Sequence, residues 1–219
     1  MGQAIAVSVR QRSELELLGL WQRGQDLDGM VAAADVVIDF SLPEGTELVL
    51  EAVVRHGTPL VCGVTGLNEA QLVLLAGASD KLPLVIDRNM SLGIAILERA
   101  VREAATALGT DFAVHVSEVH HVHKKDAPSG TALKLGEAIA SSRGETGTGA
   151  VQFEVERRGD TPGDHEVTMA STTEKLTFAH SVMTRQVFVD GALAAAAWVI
   201  GKPPGRYSMQ DVLFSHPNS

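Results

Sequence analysis

The sequence predicts an α/β chain in two parts: a parallel-sheet unit of alternating strands and helices, then an α+β unit built on a mixed sheet. Three observations support this division. Short apolar or β-branched runs alternate with helical segments as far as about Asn89. Three strand-like segments then follow one another between residues 151 and 181, with no helix between them. A Gly/Ser/Thr stretch, SSRGETGTG, precedes those three and reads as an ordinary loop.

Taken in order, Ala4, Ile5, Val7 and Val9 open a short helix already under way at the first residues, and Leu15 to Trp21 reads as a strand. Asp35 to Phe40 (DVVIDF) is a β-branched run short enough for a buried parallel strand. Ser41 follows as an N-cap, with Pro43 in the first turn and Glu44 completing a capping box. The helix then runs from Glu44 to about Arg55, and Gly57 ends it. Leu60 to Cys62 is the next strand, Asn68 caps a helix through Ser79, and Leu82 to Ile86 returns as a strand. A longer helix, about Gly93 to Leu108, leads into a strand from Phe112 to Val119. After a polar loop come a helix from Thr131 to Ser142 and the strands Val151–Arg157, Glu166–Ala170 and Lys175–Ser181. An alanine-rich helix, about Val187 to Ile200, precedes a Pro-Pro-Gly turn and a short tail.

Composition excludes several function classes. A net charge of −9 argues against a general nucleic-acid binder, which needs clustered Lys and Arg, although a local basic pocket can still receive a small anion. The single cysteine, Cys62, rules out an intramolecular disulfide and a thiolate-rich metal site. The longest apolar run, Ala192 to Ile200, is too short for a bilayer, which needs about 20 residues. No basic leader with a cleavage site opens the chain, so a cytoplasmic location is expected and no membrane partner. With aromatics at 4%, the core must be built from Val, Leu, Ile and Ala.

Chemistry concentrates in Glu118 to Ala132, EVHHVHKKDAPSGTA. Three histidines, two lysines and an aspartate follow a strand directly, where loops are held against a site. Ser129 is the expected N-cap of the next helix, which leaves the backbone N–H groups of Gly130 and Thr131 free to meet an anion at the positive end of the helix dipole. Gly130 lets a ligand approach the backbone closely, and Lys124 adds a full positive charge. Taken singly, His120, His121 and His123 could be solvated loop residues, or metal ligands as in a metal-dependent hydrolase. No H-x₃-H helix pair or well-placed carboxylate accompanies them, so no metal is expected. The residues together describe a carboxylate or phosphate cradle with titratable imidazoles beside it.

EVHHVHKKDAPSGTA resembles the signature of the dihydrodipicolinate reductase family, E-x-H-H-x-x-K-x-D-x-P-S-G-T-A, at Glu118, His120, His121, Lys124, Asp126, Pro128, Ser129, Gly130, Thr131 and Ala132. VIDFSLPEGT, GVTG and NMSLG resemble the family's cofactor-side loops, and GDTPGDHEV, the Arg185 region, GALAAAAW and PGRYSMQDVL its second half. The resemblance implies a Rossmann-like cofactor domain over 1–90 and 186–219, and a substrate-binding and oligomerisation domain over 91–185. It implies reduction of 4-hydroxy-tetrahydrodipicolinate by NADPH or NADH in lysine and diaminopimelate synthesis, by a homotetramer. Among the residues, His120 matches the proton donor and Lys124 the second catalytic residue. His121, Lys124, Ser129, Gly130 and Thr131 match positions that hold the small dicarboxylate. Met1, Gly2, Gln22, Arg23, Phe40, Gly63, Val64, Thr65, Asp87, Arg88, Asn89 and Met90 match the cofactor side.

The chain also departs from the family pattern. Met1-Gly2-Gln3 resembles the last pair of the glycine-rich turn that enters the first helix, so a strand and its turn, about ten to fifteen residues, are expected to be missing ahead of it. Either the true start lies upstream of Met1, as its coincidence with the motif methionine suggests, or the chain is a truncated product. The acidic ribose-binding residue usual about 20 positions beyond that turn is replaced by Gln22, next to Arg23, which favours NADPH slightly over NADH. Val64-Thr65 stand where two threonines are common, and Asp87-Arg88 replace small residues. The rival from another class is a non-catalytic dicarboxylate-binding or interaction protein that has lost its cofactor site.

Overall fold

The computed structural model describes residues 1–215. The elements of its first part are α1 (Gly2–Arg10), α2 (Leu27–Ala33), β1 (Val37–Asp39), α3 (Pro43–His56), β2 (Leu60–Cys62), α4 (Glu69–Ser79) and β3 (Pro83–Ile86). The middle holds α5 (Leu92–Leu108), a short 3-10 turn, β4 (Ala113–His120), α6 (Gly130–Ser142), β5 (Gln152–Arg157), β6 (Asp164–Ala170) and β7 (Lys175–Ser181). Then come α7 (Gln186–Val199), β8 (Gly205–Tyr207) and α8 (Met209–Phe214). The chain divides into two compact units, Met1–Ser91 with Phe188–Ser219, and Leu92–Val187. No helix of the described residues is long and apolar enough to cross a membrane.

The first unit is Rossmann-like, with a sheet of order β1-β2-β3-β8 and every pairing parallel. Its strands are short apolar runs because helices cover them, and Leu60, Val61, Cys62, Leu84 and Val85 are wholly buried. The register sets Asp39 beside Cys62 and Cys62 beside Ile86. The loops that follow β1, β2 and β3 therefore leave the sheet side by side at one edge. Asn68 caps α4 through a reciprocal capping box with Gln71, and Gly57 ends α3 in the left-handed conformation at φ 68°.

Several sequence expectations are corrected in this unit. Ser41 does not cap α3: its N–H donates to Asp39 Oδ1 at 2.8 Å and its hydroxyl to the Leu42 carbonyl at 3.1 Å. Leu42 occupies the cap position, and Pro43, with its preset φ, starts the helix without a side-chain cap. Leu15 to Trp21 is not a strand. Leu15 and Leu17 pack against the cluster of Ile5, Val9, Val189, Ala192 and Leu193, but among the described residues the segment joins no ladder, and β1 pairs only with β2. The unpredicted α2 is capped by Asp26, which accepts from Gly29 N. The expected turn and tail after α7 instead supply β8, the fourth strand, and α8, whose start is tied down by Asp211 accepting from the Ser208 N–H and hydroxyl.

The second unit carries a mixed sheet of order β5-β4-β6-β7, with β4 parallel to β5 and antiparallel to β6. A period of two along β4 turns Val114, Val116, Glu118 and His120 to one face. Val114 and Val116, with Val167 and Met169 of β6, pack under α5 and α6 in a core that includes Ile94, Val101, Leu135 and Ile139. Farther along the same strands this face becomes polar. Glu118 lies opposite His165, and His165 opposite His180.

One close approach in the first unit gives a stability test. A Cβ on Gly191 of α7 would lie 1.6 Å from the Met90 carbonyl oxygen. Gly191→Ala should lower the unfolding free energy by about 1–3 kcal/mol or more, read as a reduced urea midpoint. An unchanged midpoint would mean that α7 can shift away from Met90 at no cost.

Candidate active site

The loop from His121 to Ser129 joins the end of β4 to the start of α6, and both ends are fixed by their own chemistry. At the near end, His120 is the last residue of β4 rather than part of the loop, and it is buried. At the far end, Ser129 caps α6, its Oγ accepting from Ala132 N at 3.1 Å, and its own N–H donates to Glu118 Oε1 at 3.0 Å. A buried carboxylate thus spans the loop from one end to the other.

Glu118 is the centre of the arrangement. Its Oε1 also faces both terminal nitrogens of Arg157, each at 3.4 Å. Its Oε2 lies 3.4 Å from His120 Nδ1 and 3.7 Å from His165 Nε2. These are distances for Coulomb attraction without hydrogen-bond alignment, since neither Glu118 Oε2 nor His120 Nδ1 has a hydrogen-bond partner. The His120 and His165 rings meet edge to face at 5.1 Å, and His165 Nε2 stands 3.3 Å from Ser129 Oγ. The backbone beside His120 Nε2 is Gly163, where a Cβ would lie 2.9 Å from that nitrogen.

Burial lowers the His120 pKa, the Glu118 carboxylate opposes that shift, and Lys124 and Arg157 reinforce it, leaving the group below its ordinary value. Burial also dominates at His165, with the His120, His180 and Lys124 charges adding to it, and the imidazole is pushed down to about 3. At neutral pH His165 is therefore a neutral ring packed against His120.

Lys124 Nζ pairs with Asp126 Oδ1 at 2.9 Å. Burial raises the Asp126 pKa, but the Lys124 ammonium and backbone N–H groups, Gly130 among them, outweigh it and hold the carboxyl below its usual range. A carboxylate of the chain itself thus sits between Lys124 and the first N–H of α6. Thr131 is buried and Gly130 half-buried behind it.

His121 is half-buried and His123 exposed, their rings 6.2 Å apart. The potential metal-ligating group among the described residues is not the three loop histidines but Glu118, His120 and His165, whose ligand atoms lie within 4.8 Å of one another. Arg157 on the same carboxylate opposes a cation there. Sequence reasoning missed His165 and Arg157. The period of two in EVTMA, continued one residue earlier, was the available signal, because it puts His165 on the face of Val167 and Met169.

In the first unit, the loops at the carboxyl edge of the parallel sheet hold most of the remaining predicted residues. Phe40 follows β1, Gly63, Val64 and Thr65 follow β2, and Asp87 to Met90 follow β3. Met1 and Phe40 pack against one apolar cluster, and Gly2 opens α1. A Cβ on Gly63 would meet the Phe40 ring at 2.4 Å. The Asp87 carboxylate accepts from Asn89 N at 3.3 Å and Met209 N at 3.2 Å, so it braces its own loop, while Arg88 is exposed. Gln22 and Arg23 lie in an exposed turn, and Arg23 lines a cleft of about 330 Å³ with Trp21, Phe40, Ser41 and Leu42.

Family models for the N-terminus and the C-terminus of dihydrodipicolinate reductase match residues 1–90 and 93–213. The chain belongs to the dihydrodipicolinate reductase family. It is 45% identical over 206 residues to the 4-hydroxy-tetrahydrodipicolinate reductase of Alkalilimnicola ehrlichii, covering 87% of this chain and 77% of that one. With the reductase of Caulobacter vibrioides it shares 42% identity over 238 aligned positions, covering 97% and 93% of the two chains. A dipicolinate-bound dihydrodipicolinate reductase from Paenisporosarcina sp. TG-14 has the same fold, with a TM-score of 0.76 over 97% of this chain and 94% of that one at 20% identity. Dihydrodipicolinate reductases use a nicotinamide cofactor.

The buried histidines of this reductase-family chain predict how stability depends on pH. The folded pKa of His165 lies below the ordinary value of about 6.5, so the unfolded chain binds more protons between pH 6.5 and about 3. This contribution is fully present above pH 6.5 and is lost as pH falls through that window; His120 and His180, also lowered, act in the same direction. Urea midpoints should fall from pH 6.5 downward, and His165→Gln should flatten the fall. An equally steep fall in the variant would show that His165 is not the main contributor.

Proposed function

We propose that this chain reduces 4-hydroxy-tetrahydrodipicolinate to tetrahydrodipicolinate with a nicotinamide dinucleotide, the activity for which its relatives are named. The observation that carries this reading is the Asp126 carboxylate lying against Lys124 and the Gly130 N–H, because the groups that receive it suit a substrate carboxylate equally well.

The residues fit the cofactor. In open α/β sheets, ligands bind beyond the carboxyl ends of the strands, where Phe40, Gly63, Val64, Thr65, Asn89 and Met90 stand. Gly63 has no room for a side chain because the Phe40 ring fills that space, so the loops after β1 and β2 meet closely at this edge. The uncapped start of α1 at Met1 and Gly2, with no acidic residue in its first turn, suits a pyrophosphate. When bound, the dinucleotide supplies a hydride.

The chain's own residues do the rest. Lys124 and the N–H groups of Gly130 and Thr131, with Ser129 and His121 beside them, hold the dicarboxylate, and Lys124 offsets the negative charge that develops as the ring is reduced. After the 4-hydroxyl leaves as water and the conjugated ring that this loss creates takes up the hydride, His120, held between Glu118 and His165, delivers the proton that completes the reduction. Its lowered pKa leaves it mostly neutral in the free protein, and a bound dianion shifts the balance toward the imidazolium that must donate. Arg23, in its cleft with Trp21 and Phe40, suits a 2′-phosphate and so favours NADPH. A homotetramer built through the second-unit sheet belongs to the same proposal.

Loss of reduced-nicotinamide absorbance with 4-hydroxy-tetrahydrodipicolinate tests the reading, and dipicolinate binding without response to either nucleotide would favour the non-catalytic rival. His120→Gln should lower kcat by about 10²- to 10⁴-fold with nucleotide affinity unchanged, and Lys124→Ala should abolish most turnover. For the unaltered chain, kcat/KM should fall as pH rises through a His120 pKa below 6.5, and kcat should fall at higher pH. Coincident profiles would remove His120 from the donor role. Arg23→Ala should weaken NADPH binding about tenfold or more and leave NADH within about twofold, measured by Trp fluorescence; equal losses would place the 2′-phosphate elsewhere.

A further inference from the structure

We infer that Arg157 is a positioning residue, whose guanidinium holds the backbone of the Lys124–Asp126 segment and so fixes the Lys124 ammonium over the start of α6. This inference rests on the reading of Lys124 as the substrate-carboxylate partner.

The geometry is that of a fork used on several sides at once. Arg157 ends β5 and pairs in register with His120, so the sheet delivers it to the edge of the loop. Its Nε donates to the Lys124 carbonyl at 3.2 Å, and a terminal nitrogen donates to the Asp126 carbonyl. The same head faces Glu118 Oε1 at 3.4 Å and reaches the Glu156 carbonyl at 2.9 Å. Glu118 Oε1 in turn accepts from Ser129 N.

Between His121 and Ser129 the loop has no ladder or helix to hold it. Its other backbone attachments are Val122 N to the Gly159 carbonyl and a local turn, Lys124 N to the His121 carbonyl. The segment that carries Lys124 is thus fastened to the sheet by Arg157, and the cap of α6 is fastened through the carboxylate that Arg157 faces. The Asp126 carboxylate bridges the ammonium and the helix start directly, and the Arg157 guanidinium holds the backbone from which both Lys124 and Asp126 project. A lysine offers a single point of charge and cannot reproduce the fork.

The test compares Arg157→Ala and Arg157→Lys with the unaltered chain. Misplacement of the cradle by about 1 Å is expected to raise the KM for the dicarboxylate substrate about 10- to 100-fold, with a smaller fall in kcat and nucleotide affinity within about twofold. Millimolar guanidinium should restore part of the Arg157→Ala activity, and methylammonium should not. Arg157→Lys, which keeps the charge, should still show a KM raised about fivefold or more, so the inference stays open to refutation if the alanine variant does not fold. Unchanged KM in a folded variant overturns the inference, as does a parallel loss of kcat, nucleotide affinity and thermal stability without guanidinium rescue.

Should the unaltered chain not turn over, the reductase reading fails, and this inference is then read from dipicolinate affinity by calorimetry and from hydrogen exchange at residues 122–127. Weaker dipicolinate binding and faster exchange in Arg157→Ala support it, and equality in both overturns it.

Discussion

A carboxylate removed from water must be answered by donors and positive charge, and in this chain Glu118 sets that requirement. Its side chain is fully enclosed, yet it lies on a strand whose preceding inward positions are valines. The Arg157 guanidinium and the Ser129 N–H answer it at Oε1, and the rings of His120 and His165 enclose Oε2. Each answering group brings its own segment, so the end of β5, the cap of α6 and the start of β6 are drawn to one point. The polar end of the sheet face is a consequence of one buried charge, and the site lies where the hydrophobic rows of that face stop.

The first unit works under a different constraint. Parallel strands in register must release their loops at a common edge, whatever those loops contain. Asp39, Cys62 and Ile86 lie level, and the residues that follow them inherit that alignment. Asp87 secures it by tying its own loop to the start of α8, a contact across 122 positions of sequence.

What the sequence made legible is what depends on near neighbours. Ser129 and Asn68 were readable as caps because the N–H groups they accept from lie three residues on. The carboxyl-edge loops were readable because short apolar strands alternate with helices. Ser41 misled because Asp39, two residues earlier, competes for its N–H, a contest that spacing alone does not decide. Leu15 to Trp21 has the apolar content of a short strand, but a strand is defined by a partner, and composition carries no information about one. The seven-residue α2, with Gly29 in its first turn, has too little propensity to stand out. His165 reaches Ser129 across 36 positions and Arg157 reaches Glu118 across 39, both through strand pairing, so their presence at the site follows from topology rather than from any local motif.

Gly163 shows how much of this arrangement depends on empty volume. Its φ of 152° and the nearness of His120 Nε2 leave space there for a hydrogen atom and nothing larger. Glu118 faces Nδ1 and His165 meets the ring edge to face, so a methyl at this position would bear directly on Nε2, the remaining nitrogen. An alanine at this position would act as a plug against that nitrogen, while Glu118, Lys124 and Arg157 stayed in place around the ring.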